Sequence, residues 1–187
     1  SIICAEGIKK ELIRMMTMAK DNVQEAFDAV IKRKKEKMIA VEQREEYVDF
    51  LNKEISKYIT SAVSYETTKA GGQIFNSLFS VTSNIERISD HAINIAEYSD
   101  MIADKGIVFS EQANDELTEM KQICMKVFEL LLEKPVDYVE WHEKIACLEQ
   151  KIDDMTVQFR NNMYERIHTK CCTDEGCILF SEMLTDF

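Results

Sequence analysis

Apolar side chains recur along most of the chain at intervals of three or four residues, which is the period of an amphipathic α-helix. The stripes cover about residues 8–33, 41–59, 72–103 and 110–133, with a fifth after Pro135 and a sixth after Gly176. Only five Gly and one Pro occur in 187 residues, which favours long helices over many short strands. The pattern therefore predicts an all-α protein of six helices.

The helical pattern repeats after 104 residues without a gap. The superposed pairs include Ile13 with Leu117, Met16 with Met120, Leu51 with Met155, Ile55 with Phe159 and Gly72 with Gly176. A repeat of this length that holds three helices predicts two tandem three-helix bundles. The first unit covers residues 1–106. The second covers residues 107–187, and its last helix, the sixth, is truncated.

The net charge of the chain limits the kinds of partner that it is expected to bind. The chain has 23 basic and 34 acidic residues, a net charge of -11, which disfavours nucleic acid or a bare membrane as the main partner. The basic run Lys32–Lys37 is an exception, and we expect it to form a solvated turn or a charged helix end. The longest apolar run, at residues 128–132, is too short to span a bilayer.

The six cysteines show no paired spacing, so the sequence predicts reduced thiols in a cytoplasmic protein. A zinc site is the alternative, and its ligands would be His168, Cys171, Cys172 and Cys177. Adjacent cysteines rarely both face one ion, and residues of this kind are common in turns. We therefore favour free thiols at these positions.

Carboxylates occur on helix faces that also carry apolar residues. Glu45 and Asp49 are one turn apart at the edge of the second stripe, and the repeat keeps the pair as Glu149 and Asp153. Four more oxygen-bearing side chains share one quadrant of the third helix: Glu86, Asp90, Asn94 and Glu97. Like charges on a half-buried face are destabilising, so a cation is expected to offset them. Oxygen ligands at this spacing suit Mg²⁺, Mn²⁺ or iron.

Two other interpretations stay open. Lys53 and Arg87 are close enough in sequence to pair with the acids, which predicts a structural adaptor without metal. A metal-dependent enzyme is less favoured, because the sequence has no Gly-rich phosphate loop, nucleophile elbow or His-rich ligand set. His91 follows Asp90, and we expect it on the helix surface or as a residue that orients a ligand.

The segment NIERISDHAINIAE at residues 84–97 resembles the signature helix of the PhoU family, whose members consist of two tandem three-helix bundles. The pairs Glu45–Asp49 and Glu149–Asp153 match other acidic positions of that family. The resemblance implies a non-enzymatic regulator of inorganic phosphate uptake. It also implies that these acids bind clusters of metal ions such as iron, manganese, magnesium or zinc.

The same resemblance implies a phosphate transporter as the partner, at the cytoplasmic face of the membrane. The transporter would be of the ABC type, together with a sensor kinase, or of the sodium-dependent type. Nucleic acid is not an expected partner, and the sequence leaves open whether the domain forms a homodimer.

The two ends of the sequence carry further expectations. The chain begins Ser1-Ile2-Ile3-Cys4 without Met, which favours the cytoplasmic tail of a sodium-dependent phosphate cotransporter, tethered to the inner face of the cell membrane. The repeat mate of Glu86 would lie beyond Phe187, so Glu149 and Asp153 lack their partners. Metal is therefore expected in the first unit, at Glu45, Asp49, Glu86 and Asp90.

Overall fold

The structure is a computed structural model that describes residues 2–34 and 36–187, with side chains from residue 4 onward. Lys35, a member of the predicted basic turn, lies outside the described residues. The helices in these ranges are α1 (Ile2–Ile31), α2 (Glu36–Ser64), α3 (Lys69–Lys105), α4 (Glu111–Leu132), α5 (Tyr138–His168) and α6 (Asp174–Met183). The all-α prediction is confirmed. None of the described helices is long and apolar enough to cross a membrane.

Capping residues set the helix ends near the predicted positions. The Ser110 hydroxyl accepts a hydrogen bond from the Ala113 N–H at 3.2 Å and so begins α4, as expected for a serine at this position. Gly106 ends α3 with a left-handed φ of 62°, a conformation that glycine adopts without a Cβ clash. Gly71 and Gly72 lie inside the first turn of α3, which begins at Lys69.

Threonine caps fix the register of the repeat at α3 and α6. Thr68 accepts from the Gly71 N–H at 3.1 Å, and Thr173 accepts from the Gly176 N–H at 3.1 Å. Gly176 therefore corresponds to Gly71, not to Gly72 as the gapless shift predicts. At these helices the repeat is one residue longer than 104.

Burial shows the same one-residue correction in the first helix of each unit. Ile13 is 57% exposed, whereas Leu117, its predicted mate, is 1% exposed. Leu12, which is 6% exposed, is the α1 residue that matches Leu117. The prediction was wrong here because apolar positions spaced by three and four residues also match themselves after a shift of one. In α2 and α5 the 104-residue shift holds, and buried Ile55 corresponds to buried Phe159.

One apolar core runs through both units, with α1 at its centre. α1 packs against α2 and α3 in the first unit and against α4 in the second. α4, α5 and α6 complete the second unit, and α6 also contacts α3. The fully buried Phe27 of α1 and Phe180 of α6 belong to the same cluster.

A buried ion pair holds the second unit together. Glu116 of α4 and Arg166 of α5 are each 5% exposed, and two N–O hydrogen bonds of 2.9 Å join them. Asn162 donates a third hydrogen bond to Glu116 at 2.8 Å. The Arg166 guanidinium lies 5.0 Å from the ring centre of Phe180, so the pair also contacts α6.

Cys172 and Cys177 form a disulfide, which corrects the prediction of reduced thiols. The tight turn between α5 and α6 brings their Cα atoms to 6.5 Å, within the range that a disulfide spans. The prediction was wrong because it judged pairing from sequence spacing and did not consider the turn. The bond also takes up two of the four ligands of the alternative zinc site. Cys4, Cys124, Cys147 and Cys171 are free thiols.

Candidate metal centre on α2 and α3

The predicted carboxylates of the first unit meet where α2 packs against α3. Glu45 and Asp49 of α2 and Glu86 of α3 are half-buried, and Asp90 is exposed. Their backbone positions follow from the apolar residues beside them, because Val48 of α2 is fully buried and orients that helix. The helical period then places the acids at the rim of the α2–α3 contact.

Electrostatics couples the carboxylates across the two helices. Burial raises the pKa of Glu45, and the charges of Asp90, Asp49 and Glu86 add to the effect. Burial also raises the pKa of Glu86, with further contributions from Asp90 and Asp49 that Lys53 and Arg87 oppose. Each glutamate is therefore affected by an acid on the other helix, so the four carboxylates share one region of negative potential.

Lys53 is the basic side chain that pairs with this group. Its Nζ donates a hydrogen bond to Oδ2 of Asp49 one turn earlier on α2. This bond is the largest cause that raises the pKa of Lys53. Among the described residues, no ion pair of this kind joins a base to Glu45, Glu86 or Asp90. Lys53 and Arg87 act on Glu86 through charge alone.

The donor set fits an oxygen-preferring cation in its chemistry, because it consists of carboxylates that neutralise and coordinate such ions. In the part of the chain that the structure describes, no three His, Cys, Asp or Glu side chains are already gathered closely enough to hold a metal ion. Coordination would therefore require side-chain rotation about the Glu and Asp dihedrals, and release of Asp49 from Lys53.

A buried hydrogen-bond network lies beneath the carboxylates. Asn22 of α1 is fully buried, and its amide donates to the Ser89 hydroxyl at 3.1 Å. Arg44 of α2 donates to the Asn22 oxygen at 2.9 Å. Arg44 directly precedes Glu45, and Ser89 directly precedes Asp90. The network therefore ties the backbone at both acids to α1.

The remaining predicted ligands of α3 have other surroundings. The Asn94 amide donates to Asp186 at 3.1 Å, and Asp186 also contacts His91 Nδ1 at 3.0 Å and accepts from the Tyr98 hydroxyl at 3.0 Å. Burial, followed by the bond to Asp186, raises the pKa of Tyr98 to about 12. Glu97 is exposed. Asn94 thus links α3 to the end of the second unit, and His91 does the same.

The second acidic pair has a different environment from the first. Glu149 and Asp153 are exposed on α5, whereas Glu45 and Asp49 are half-buried on α2. The structure therefore places the four acids of the first unit along the α2–α3 contact, without gathering them into a ligand set, and leaves the pair of the second unit at the surface. Sequence reasoning missed Asp186 and the Glu116–Arg166 pair, since no spacing along one helix relates them to their partners.

Comparison with known proteins supports the fold. Residues 12–99 match the family model of the PhoU domain, a range that contains all four acids of the first unit. No curated protein matches the sequence. The crystal structure of PhoU from Pseudomonas aeruginosa superposes with a TM-score of 0.89 at 13% sequence identity, over 98% of this chain and 88% of that chain. This likeness shows a common fold of tandem three-helix bundles.

Proposed function

We propose that the chain regulates a phosphate transporter at the cytoplasmic face of the membrane. The match of residues 12–99 to the PhoU domain and the PhoU-like fold support this proposal. The transporter is either of the ABC type, acting with a sensor kinase, or sodium-dependent. The protein acts by binding its partner and not by catalysis.

We further propose that a metal ion bound between α2 and α3 is part of this regulation. The supporting observation is that burial, together with the charges of Asp49 and Asp90, raises the pKa of both Glu45 and Glu86 at the α2–α3 contact. A magnesium, manganese, zinc or iron ion would supply the positive charge that offsets their repulsion. The four side chains hold the ion, and Lys53 competes with it for Asp49.

Metal analysis of matched variants tests this assignment. The protein is loaded with Mn²⁺ or Fe²⁺, desalted and measured by elemental analysis. The double variant Glu86→Ala/Asp90→Ala is expected to lose most of the bound metal. The matched control Glu149→Ala/Asp153→Ala removes the same two residue types from the exposed pair of α5 and is expected to retain it. Equal metal content in wild type and Glu86→Ala/Asp90→Ala contradicts the proposal.

A structural adaptor without metal is the second candidate, and the Lys53–Asp49 ion pair favours it. In that case the protein retains no metal after loading, and a chelator leaves its thermal midpoint unchanged. Phosphate regulation is tested separately by measuring phosphate uptake in cells that lack the protein. If uptake responds to phosphate supply in the same way with and without the protein, the regulatory proposal fails whatever the metal result.

A further inference from the structure

The connection between α1 and α2 concentrates positive charge in an otherwise acidic protein. Its described residues include Lys32, Arg33, Lys34 and Lys37, and Glu36 is the one acid among residues 32–37. Lys32, Arg33 and Lys34 are exposed. Because the whole chain has a net charge of -11, this turn is a local reversal of the protein's electrostatic sign.

Backbone geometry holds these side chains at one end of the bundle. Arg33 has a left-handed φ of 51°, and its N–H donates to the Val30 carbonyl at 3.4 Å. The Lys34 N–H donates to the Ala29 carbonyl at 3.0 Å, which closes the end of α1. The chain therefore turns abruptly at the point where the three exposed cations begin.

A second cation group adjoins the turn and includes a lysine of the second unit. The Asp28 carboxylate accepts from Lys121 of α4 at 2.7 Å and lies 3.2 Å from Nζ of Lys32 and 3.7 Å from Nζ of Lys37. The Asp28 side chain is 10% exposed, and that of Lys121 is 20% exposed. One carboxylate balances one of three ammonium groups, so the cluster keeps a surplus of positive charge.

The second unit provides an internal control for this feature. Its equivalent connection, between α4 and α5, reads Glu133-Lys134-Pro135-Val136-Asp137 and has one base and two acids. Each connection joins the first two helices of its unit, which pack against each other. The fold therefore does not require a basic turn, and the cations of the α1–α2 connection need another explanation.

We propose that the surface formed by Lys32, Arg33, Lys34, Lys37 and Lys121, here called the basic turn, binds a ligand that carries clustered phosphate groups. Lysine ammonium groups act as point charges and approach phosphate oxygens from several directions. Asp28 and Glu36 weaken the attraction for a singly charged anion, so the surface selects ligands with several negative charges. A condensed soluble phosphate and a layer of phospholipid headgroups share this chemistry. The inference is independent of the metal centre.

Binding measurements with two probes test the proposal and distinguish the two sources. Tripolyphosphate is titrated by calorimetry, and flotation is measured with phosphatidylcholine vesicles that contain or lack phosphatidylglycerol. The test variant is Lys32→Gln/Arg33→Gln/Lys34→Gln, which leaves the Asp28–Lys121 bond in place. Loss of three cations near a phosphate surface is expected to weaken binding at least about tenfold. Binding should also weaken steeply with salt.

The matched control is Lys9→Gln/Lys57→Gln/Lys144→Gln, which removes three exposed lysines from within α1, α2 and α5 and changes the net charge equally. It is expected to weaken binding by less than about twofold, since surface charges beyond a Debye length are screened. Circular dichroism and thermal midpoints check that both variants fold. Hydrogen exchange of wild type with tripolyphosphate gives a second readout that needs no variant, and protection is expected at the α1–α2 connection.

Each outcome of these binding measurements either supports or overturns the proposal. Tripolyphosphate binding without vesicle binding supports a soluble ligand, and flotation that depends on phosphatidylglycerol supports lipid headgroups. The proposal is overturned if neither probe binds, if the test and control variants weaken binding equally, or if protection lies elsewhere. Inorganic phosphate binding as tightly as tripolyphosphate also overturns it, because a single phosphate would then suffice.

Discussion

The two three-helix units share an arrangement of helices but distribute their charges in opposite ways. In the first unit, burial and the charges of neighbouring acids on α2 and α3 raise the pKa of Glu45 and Glu86. In the second unit, the charges at the centre are opposite in sign and form the Glu116–Arg166 pair. Removing one partner of a buried ion pair is strongly destabilising, whereas perturbed carboxylates at a contact are common at functional sites. The contrast is the reason that the proposed metal site lies in the first unit and the buried ion pair in the second.

The largest effect is expected from breaking the buried pair of the second unit. Glu116→Ala leaves the Arg166 guanidinium buried without its carboxylate, and should lower the free energy of unfolding by about 3–5 kcal/mol. Denaturant unfolding measures the change, and Glu119→Ala on the exposed side of α4 is the control. If the free energy of unfolding falls no more than in the control, the pair does not support the second unit.

The next largest effect concerns the link between the units at Asp28. Burial acts to raise the pKa of Asp28, but hydrogen bonds from Lys121 and Lys32 outweigh it and lower that pKa overall. A lowered folded-state pKa contributes stability above the unfolded pKa of about 3.9, and this stability is lost as the pH falls through the folded value. Asp28→Asn should therefore cost about 1–3 kcal/mol at pH 7 and progressively less in acid. A cost that does not change with pH would exclude the ion pair as its cause.

The turns after α1 and α5 offer a smaller, matched comparison. Arg33 and Lys170 both adopt a left-handed φ, of 51° and 54°. Glycine relieves the Cβ clash of this conformation, so Arg33→Gly and Lys170→Gly should each raise the free energy of unfolding by up to about 1 kcal/mol. Only Arg33→Gly should also weaken tripolyphosphate binding. Equal effects on binding would remove the distinction between the two turns.

The smallest expected effect tests the repulsion among the carboxylates of the proposed metal centre. A raised folded-state pKa gives stability below the unfolded glutamate value of about 4.3 that is lost as the pH rises through the folded value. In chelator at pH 7, Glu86→Gln should therefore be more stable than wild type by a few tenths of a kcal/mol. Added Mn²⁺ should raise the thermal midpoint of wild type but not of the variant. Glu149→Gln is the control, and a stabilisation of the same size there would show that the effect is not specific to the centre.

The sequence predicts those features that depend on one helix or on two adjacent ones. The spacing of Glu45 and Asp49 and the quadrant that holds Glu86 and Asp90 are properties of single helices. These four acids come to lie along the same helix contact once α2 and α3 pack by their apolar faces. Periodicity defines which face of a helix is buried but not the height at which it meets another helix. For this reason the one-residue register of Leu12 with Leu117 was not predictable from the pattern.

The remaining features depend on contacts between distant parts of the chain. Asp186 meets His91, Asn94 and Tyr98 only because α6 ends beside α3. The disulfide of Cys172 and Cys177 depends on how sharply the chain turns after α5. Both are set by the docking of the second unit and by local backbone geometry, which a pattern of apolar and polar positions does not encode.

The buried Asn22 side chain of α1 is hydrogen-bonded to both α2 and α3. Its side chain is bonded to Arg44 and to Ser89, the residues that directly precede Glu45 and Asp90. Interiors are close-packed and do not compress, so a change in the separation of α2 and α3 has to displace Asn22 or break one of its bonds. Asn22 belongs to α1, which is also the helix that contacts α4. Asn22 therefore connects the contact that carries the first unit's acids to the helix on which the second unit packs.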